Sequence, residues 1–135
     1  MSAELTQFMH ATMPFTAVLG AEATKADPDE VRAHIEWDPS RCTSGGLMHG
    51  GVLMALADSV GAWCAFLHLP EGTSTTTIES KTNFLRGVRE GRVEAVARPL
   101  HAGRTIIVVD TELRDDAGKL VARVTQTQAV LSPKP

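Results

Sequence analysis

The stretch HGGVLMALADSVGAWCAFL, His49 to Leu67, is apolar on nearly every side and carries a single charge, Asp58. From there to the Leu69-Pro70 stop it runs roughly 18 residues, too long for a strand, with glycines at its start and proline at its end. The pattern predicts one long helix. A membrane span needs about 20 apolar residues, and Asp at a span's centre costs ~2.5–3.5 kcal/mol on insertion scales. The expectation is therefore a helix buried inside a folded domain rather than one in a membrane, and a helix that is apolar all round needs a wrapper.

The rest of the chain supplies it. β-branched runs at about Ser74 to Leu85, Arg92 to Leu100, Thr105 to Arg114 and Leu120 to Leu131 are separated by GVREG, HAGR and DDAGK, short segments that each hold glycine. Four such strands joined by tight turns read as an antiparallel meander covering the helix. Upstream, Val31, Ala33, Ile35 and Trp37 alternate with Arg32, His34 and Glu36, a further half-buried strand that ends before Pro39. Ser2 to about His10 reads as a short helix, with Pro14 beyond its end. The fold class is α+β, in one domain spanning residues 1–135 with a lead-in over about 1–20.

Composition narrows the function. With 43% hydrophobic and 21% charged residues the chain is expected to fold, and a net charge of −3 gives no basic footprint for nucleic acid. Cys42 and Cys64 form neither a C-x-x-C motif nor a zinc-spaced cluster, which predicts free thiols and no metal site. The N-terminus lacks the basic and apolar regions of a secretory signal, so a cytoplasmic location is expected.

The chemistry centres on the helix. Gly50 and Gly51 occupy its first turn, where backbone N–H groups lack intrahelical partners and the dipole is positive, so a ligand oxygen can approach them as in an oxyanion hole. Asp58 lies eight residues further, ~12 Å along the axis at 1.5 Å per residue. One carbonyl group cannot touch both, because a reacting group must lie within about 3–3.5 Å. If both act on one substrate, one of them comes from a second copy, and two antiparallel helices across a two-fold axis place Gly50 of one subunit beside Asp58 of the other.

These residues resemble the hotdog-fold thioesterases, in the branch that includes phenylacetyl-CoA thioesterase. His49-Gly50-Gly51 with Asp58 nine positions after the histidine matches the family pattern, as do Thr82-Asn83-Phe84-Leu85-Arg86, Leu100-His101-Ala102-Gly103-Arg104-Thr105 and Asp116-Ala117-Gly118-Lys119-Leu120-Val121-Ala122. The resemblance covers about Gly46 to Leu131 and implies a long central helix wrapped by a curved antiparallel sheet. It also implies hydrolysis of an acyl-CoA thioester without metal or organic cofactor, by a homodimer that pairs again into a homotetramer. Carried onto this chain, the resemblance implies that the Gly50 N–H polarises the carbonyl, that Asp58 of the partner subunit is nucleophile or general base, that His49 shapes the loop, and that Thr77 helps to place the water or the acid. Matched binding positions are Gly51, Asn83, Arg86, His101, Gly103 and Arg104.

Two positions depart from the pattern. Thr43 stands where relatives carry an Asn that helps to bind the carbonyl, and Gly87 follows Arg86 where relatives carry Pro. A coenzyme A site needs cations for its phosphates. Arg86, Arg89, Arg92 and Arg104 lie in or beside two turns that are expected to share one rim, with Arg89 and Arg92 read as solvated turn charges. Trp63 and Phe66, past Asp58, are candidates for an acyl pocket. The leading reading is a thioesterase for small aryl or medium-chain acyl-CoA; the alternatives are an acyl-CoA binder without turnover and a thioesterase for acyl-carrier protein.

Overall fold

The computed structural model describes residues 2–133. The expected N-terminal helix is α1, Ser2–Thr12, followed by a one-turn α2, Phe15–Leu19, and β1, Glu22–Asp27, neither of which the sequence reading anticipated. Then come β2 (Glu30–Glu36), α3 (Gly50–Phe66), β3 (Ser74–Phe84), β4 (Arg92–Ala102), β5 (Ile106–Arg114) and β6 (Leu120–Leu131). None of the described helices is long and apolar enough to cross a membrane.

The six strands form one antiparallel sheet in the order β1-β2-β4-β5-β6-β3, wrapped around α3. The expected meander holds for β4, β5 and β6 only. β3 pairs with β6 on the far edge, because the segment after it is a crossing rather than a hairpin. Val88 in that segment is buried, and its carbonyl accepts from Met48 N–H at 2.8 Å, which ties the crossing to the loop before α3. Leu53, Leu56, Ala57, Val60 and Cys64 of α3 pack on Val31, Ala33, Ile35, Val93, Ala95, Ile107, Val109 and Leu113 of the sheet. Burying about 25 cal/mol per Å² of apolar surface there drives the fold.

The sheet's two edges differ. On β1, the Thr6 hydroxyl of α1 accepts from Ala23 N–H at 2.9 Å and donates to Ala23 O at 3.3 Å, and His10 Nε2 lies 2.7 Å from Ala21 O. This edge is sealed. β3 has no such cover among the described residues: only Thr75 and Thr82 are half-buried, and Ile78, bulged out of the ladder, is 60% exposed.

Candidate active site

A tight loop sets the start of α3. Cys42 bridges to Met48, Thr43 N–H donates to Leu47 O at 2.8 Å, and Gly45 and Gly46 make the turn between them at φ 77° and 74°, a region that favours glycine. His49 is the N-cap of α3. Its Nδ1 accepts from Gly51 N–H at 2.8 Å, while its carbonyl accepts from Val52 and Leu53 N–H at 3.0 and 3.3 Å. Of these first-turn donors only Gly50 N–H is left without an acceptor among the described residues. His49 thus shapes the helix start, Gly51 N–H is consumed by it, and Gly50 is the open donor.

Gly50 lines a groove of ≈ 380 Å³ together with Thr43, Leu53, Phe84, Leu85 and Arg86 among others. A Cβ on Gly50 would lie 3.1 Å from the Phe84 ring, so glycine keeps the donor reachable. Thr43 and Arg86 thus line the same groove as Gly50.

Asp58 is exposed, on a helix most of whose residues are buried or half-buried. It stands with Gly51, Met54 and Phe66 on an exposed stripe of α3, on the side of the molecule where β3 leaves its edge free. Partial burial pushes its pKa above the usual Asp value, with no hydrogen bond or charged neighbour contributing. Further along the stripe a second groove, ≈ 220 Å³, is walled by Phe8, Thr12 and Met13 of α1 and by Ala62, Trp63 and Phe66 of α3. Trp63 is almost fully buried, its ring 5.6 Å from that of Phe8.

Other expected residues fall elsewhere. Thr77 is exposed on β3, and its hydroxyl accepts from the Gln128 amide at 2.7 Å. Asn83 alternates with Phe84 and so lies on the outer face of the sheet, away from the groove. His101, Gly103 and Arg104 form the β4–β5 turn, where Gly103 N–H donates to Ile106 O at 2.8 Å and a Cβ on Gly103 would sit 2.9 Å from that carbonyl. This turn does not share a rim with Arg86. Arg86 N–H bonds to Val121 O, whereas Ile106 pairs with Ala129, eight residues along β6, or ~26 Å at about 3.3 Å per residue. Within one subunit the two cationic turns are at opposite ends of the sheet. Arg92 pairs with Glu36 at 2.7 Å, and Arg89 donates one of its five N–H groups to Gly45 O at 2.8 Å.

The sequence reading missed Gln126 and Gln128, both buried and facing α3. Period two along β6, Ala122, Val124, Gln126, Gln128, was the available signal.

Residues 45–122 match the model of the thioesterase superfamily. The chain is 30% identical to the proofreading thioesterase EntH of Cronobacter turicensis over 125 residues, 91% of each protein. It is 36% identical to the 1,4-dihydroxy-2-naphthoyl-CoA hydrolase of Escherichia coli over 86 residues, 64% of this chain and 63% of that one. The crystal structure of a thioesterase from Haemophilus influenzae superposes with a TM-score of 0.88 at 30% identity, covering 98% of this chain and 91% of that one. The chain belongs to the thioesterase superfamily, as a thioester hydrolase of the hotdog fold.

Proposed function

We propose that the protein hydrolyses the thioester of a small aryl- or medium-chain acyl-CoA, in sites shared between two subunits and without a cofactor. The observation that carries this reading is the separation of two reactive features on one helix, an unpartnered Gly50 N–H and an acid ~12 Å away. The exposed stripe of α3 and the free edge of β3 make one surface that a second copy covers, whereas the β1 edge is already sealed. In that dimer the thioester oxygen accepts from Gly50 N–H, and Asp58 of the partner subunit acts on the carbonyl carbon or on water. The two-fold axis also carries Arg86 of one subunit toward the other's His101–Arg104 turn, so two cationic turns that are distant in one chain serve one coenzyme A. The groove at Trp63 takes the acyl group. Pairing of dimers into a tetramer is part of the same reading.

As general base, Asp58 takes a proton from water, the hydroxide adds to the carbonyl carbon, and the C–S bond breaks to release CoA thiolate, which is then protonated. As nucleophile, its carboxylate oxygen adds instead, CoA leaves, and water cleaves the resulting anhydride. Single turnover in ¹⁸O-water tests for the second: label in Asp58 shows an anhydride cleaved by water at the Asp58 carboxyl carbon.

Thiol release from a panel of aryl-, medium- and long-chain acyl-CoAs tests the function. Release that is lost in Asp58→Asn supports it. Acyl-CoA that stays intact with the wild type points to a binder, and turnover only on acyl-carrier protein moves the substrate.

A further inference from the structure

The groove between α1 and α3 starts one helical turn past the acid. Ala62 in its wall is four residues from Asp58, so the two lie on one face of α3, ~6 Å apart along the axis. The other wall comes from α1, which lies outside residues 45–122, the part of the chain that matches the superfamily. Thr6 and His10 fix α1 to the β1 edge through Ala23 and Ala21. Phe8 is two residues from each, about 200° around the helix, so the contacts that hold α1 on β1 turn Phe8, and Thr12 one turn on, to the opposite side. There they meet Ala62, Trp63 and Phe66.

The two aromatic rings on this groove are held differently. Trp63 is 5% exposed and fixed by its surroundings, whereas Phe8, its ring 5.6 Å from that of Trp63, is 45% exposed. The lining also restricts chemistry: its six residues carry no charge, and the Thr12 proton goes to its own helix, to Phe8 O at 2.9 Å or Met9 O at 3.4 Å. An ionised group placed among them has no cation to pair with. Since β1 and β3 are opposite edges of the sheet, the α1 wall stands on the side away from the free edge that a second copy covers.

We propose that Phe8 and Ala62 set the length of the acyl group, and that this group is uncharged and apolar to its end. This rests on the site reading given above, in which the acyl chain runs from Asp58 into this groove.

The test titrates the intact protein calorimetrically with S-alkyl-CoA thioethers of increasing chain length, which have no thioester to cleave, and refers each protein's affinities to its own value for S-methyl-CoA. In the wild type, affinity is expected to rise about fourfold per buried methylene and then to level off at a definite length. Ala62→Leu adds three carbons to the wall and should bring the levelling about three carbons earlier, whereas Phe8→Ala should delay it. An ω-carboxyalkyl thioether is expected to bind at least about tenfold more weakly than the alkyl one of equal length. Affinity that does not rise with length in the wild type, as in a groove filled by the second copy, would overturn the proposal. So would a levelling length unchanged in either variant, or a carboxylate end that binds as well as a methyl one. Should Phe8→Ala fail to fold, Phe8→Leu serves instead, with a shift in the same direction. If no acyl-CoA is cleaved, hydrolysis falls while the levelling length still decides the groove; if acyl-CoAs are cleaved and that length does not move, hydrolysis stands and the role of the two residues falls.

Discussion

The shared-site geometry makes a quantitative prediction for mixed dimers. Gly50 is the first residue of α3, a position that tolerates proline, and His49 before it already has φ −63° and ψ 133°, the extended conformation that a residue preceding proline needs. Gly50→Pro therefore deletes one N–H and little else, with the half-exposed Phe84 ring free to give by a few tenths of an ångström. Loss of an oxyanion donor costs ~10²–10³ in kcat and loss of an acid or base ~10²–10⁴, so Gly50→Pro and Asp58→Asn are each close to inactive. When the two are co-expressed, about half of the dimers are mixed. Each mixed dimer has one doubly broken site and one intact site, with Gly50 from the Asp58→Asn subunit and Asp58 from the Gly50→Pro subunit. Thiol release should recover to about a quarter of wild type in the unsorted mixture, and to about half in mixed dimers isolated with two affinity tags. If isolated mixed dimers stay as inactive as their parents, both groups act within one subunit and the two-subunit site is wrong.

Asp58→Asn should also be more stable than wild type at neutral pH. An acid whose folded pKa is raised disfavours folding once ionised, so the gain is absent below the ordinary Asp pKa of 3.8 and grows as pH rises through the folded value, which thermal melts at pH 4 and 7 will check. Glu30, held at about 2 by Arg32 and then by Arg98 and Lys25, behaves oppositely: Glu30→Gln loses stability at pH 7, and the difference from wild type closes as pH falls from 4.5 toward 2. Ile78→Lys puts a charge on the free edge of β3 and should convert dimer to monomer with loss of turnover; light scattering that still reports a dimer would refute the role given to that edge. Gly61→Ala sets a methyl on the Gln126 amide, so ~1–3 kcal/mol of overpacking outweighs ~1 kcal/mol of helix propensity, and adding Gln126→Ala should restore much of the loss in urea denaturation.

The helix was legible because an apolar run of that length has few other uses, and β6 was read at its observed ends because Gly118 and a β-branched run bound it. β1 escaped because EATKAD has one β-branched residue; its signal was the turn after it, where the Asp27 carboxylate accepts from Asp29 and Glu30 N–H at 3.0 and 3.1 Å. The place of β3 was misread for a different reason. Short glycine-bearing separators were all taken as hairpins, yet GVREG contains Val88, and an apolar residue in a turn is a mark of a buried crossing.

Asp58 shows where local patterning stops being informative. Apolar residues all round a helix say that every face is covered, without saying by what. In the folded chain one stripe, Gly51, Met54, Asp58 and Phe66, is left open beside an unsealed strand, while the opposite edge of the same sheet is sealed by hydroxyl and imidazole groups of α1. In the proposed dimer a second copy covers this surface, which is unsealed on a chain that seals its other edge. On that reading the acid in the middle of the stripe has the environment its proposed chemistry needs: water must reach it, and a second apolar surface would raise its basicity further once the dimer closes. The activity profile should carry this signature, with the acidic limb of kcat against pH lying above the ordinary Asp range, and moving down toward it in any variant that opens the interface without unfolding the subunit.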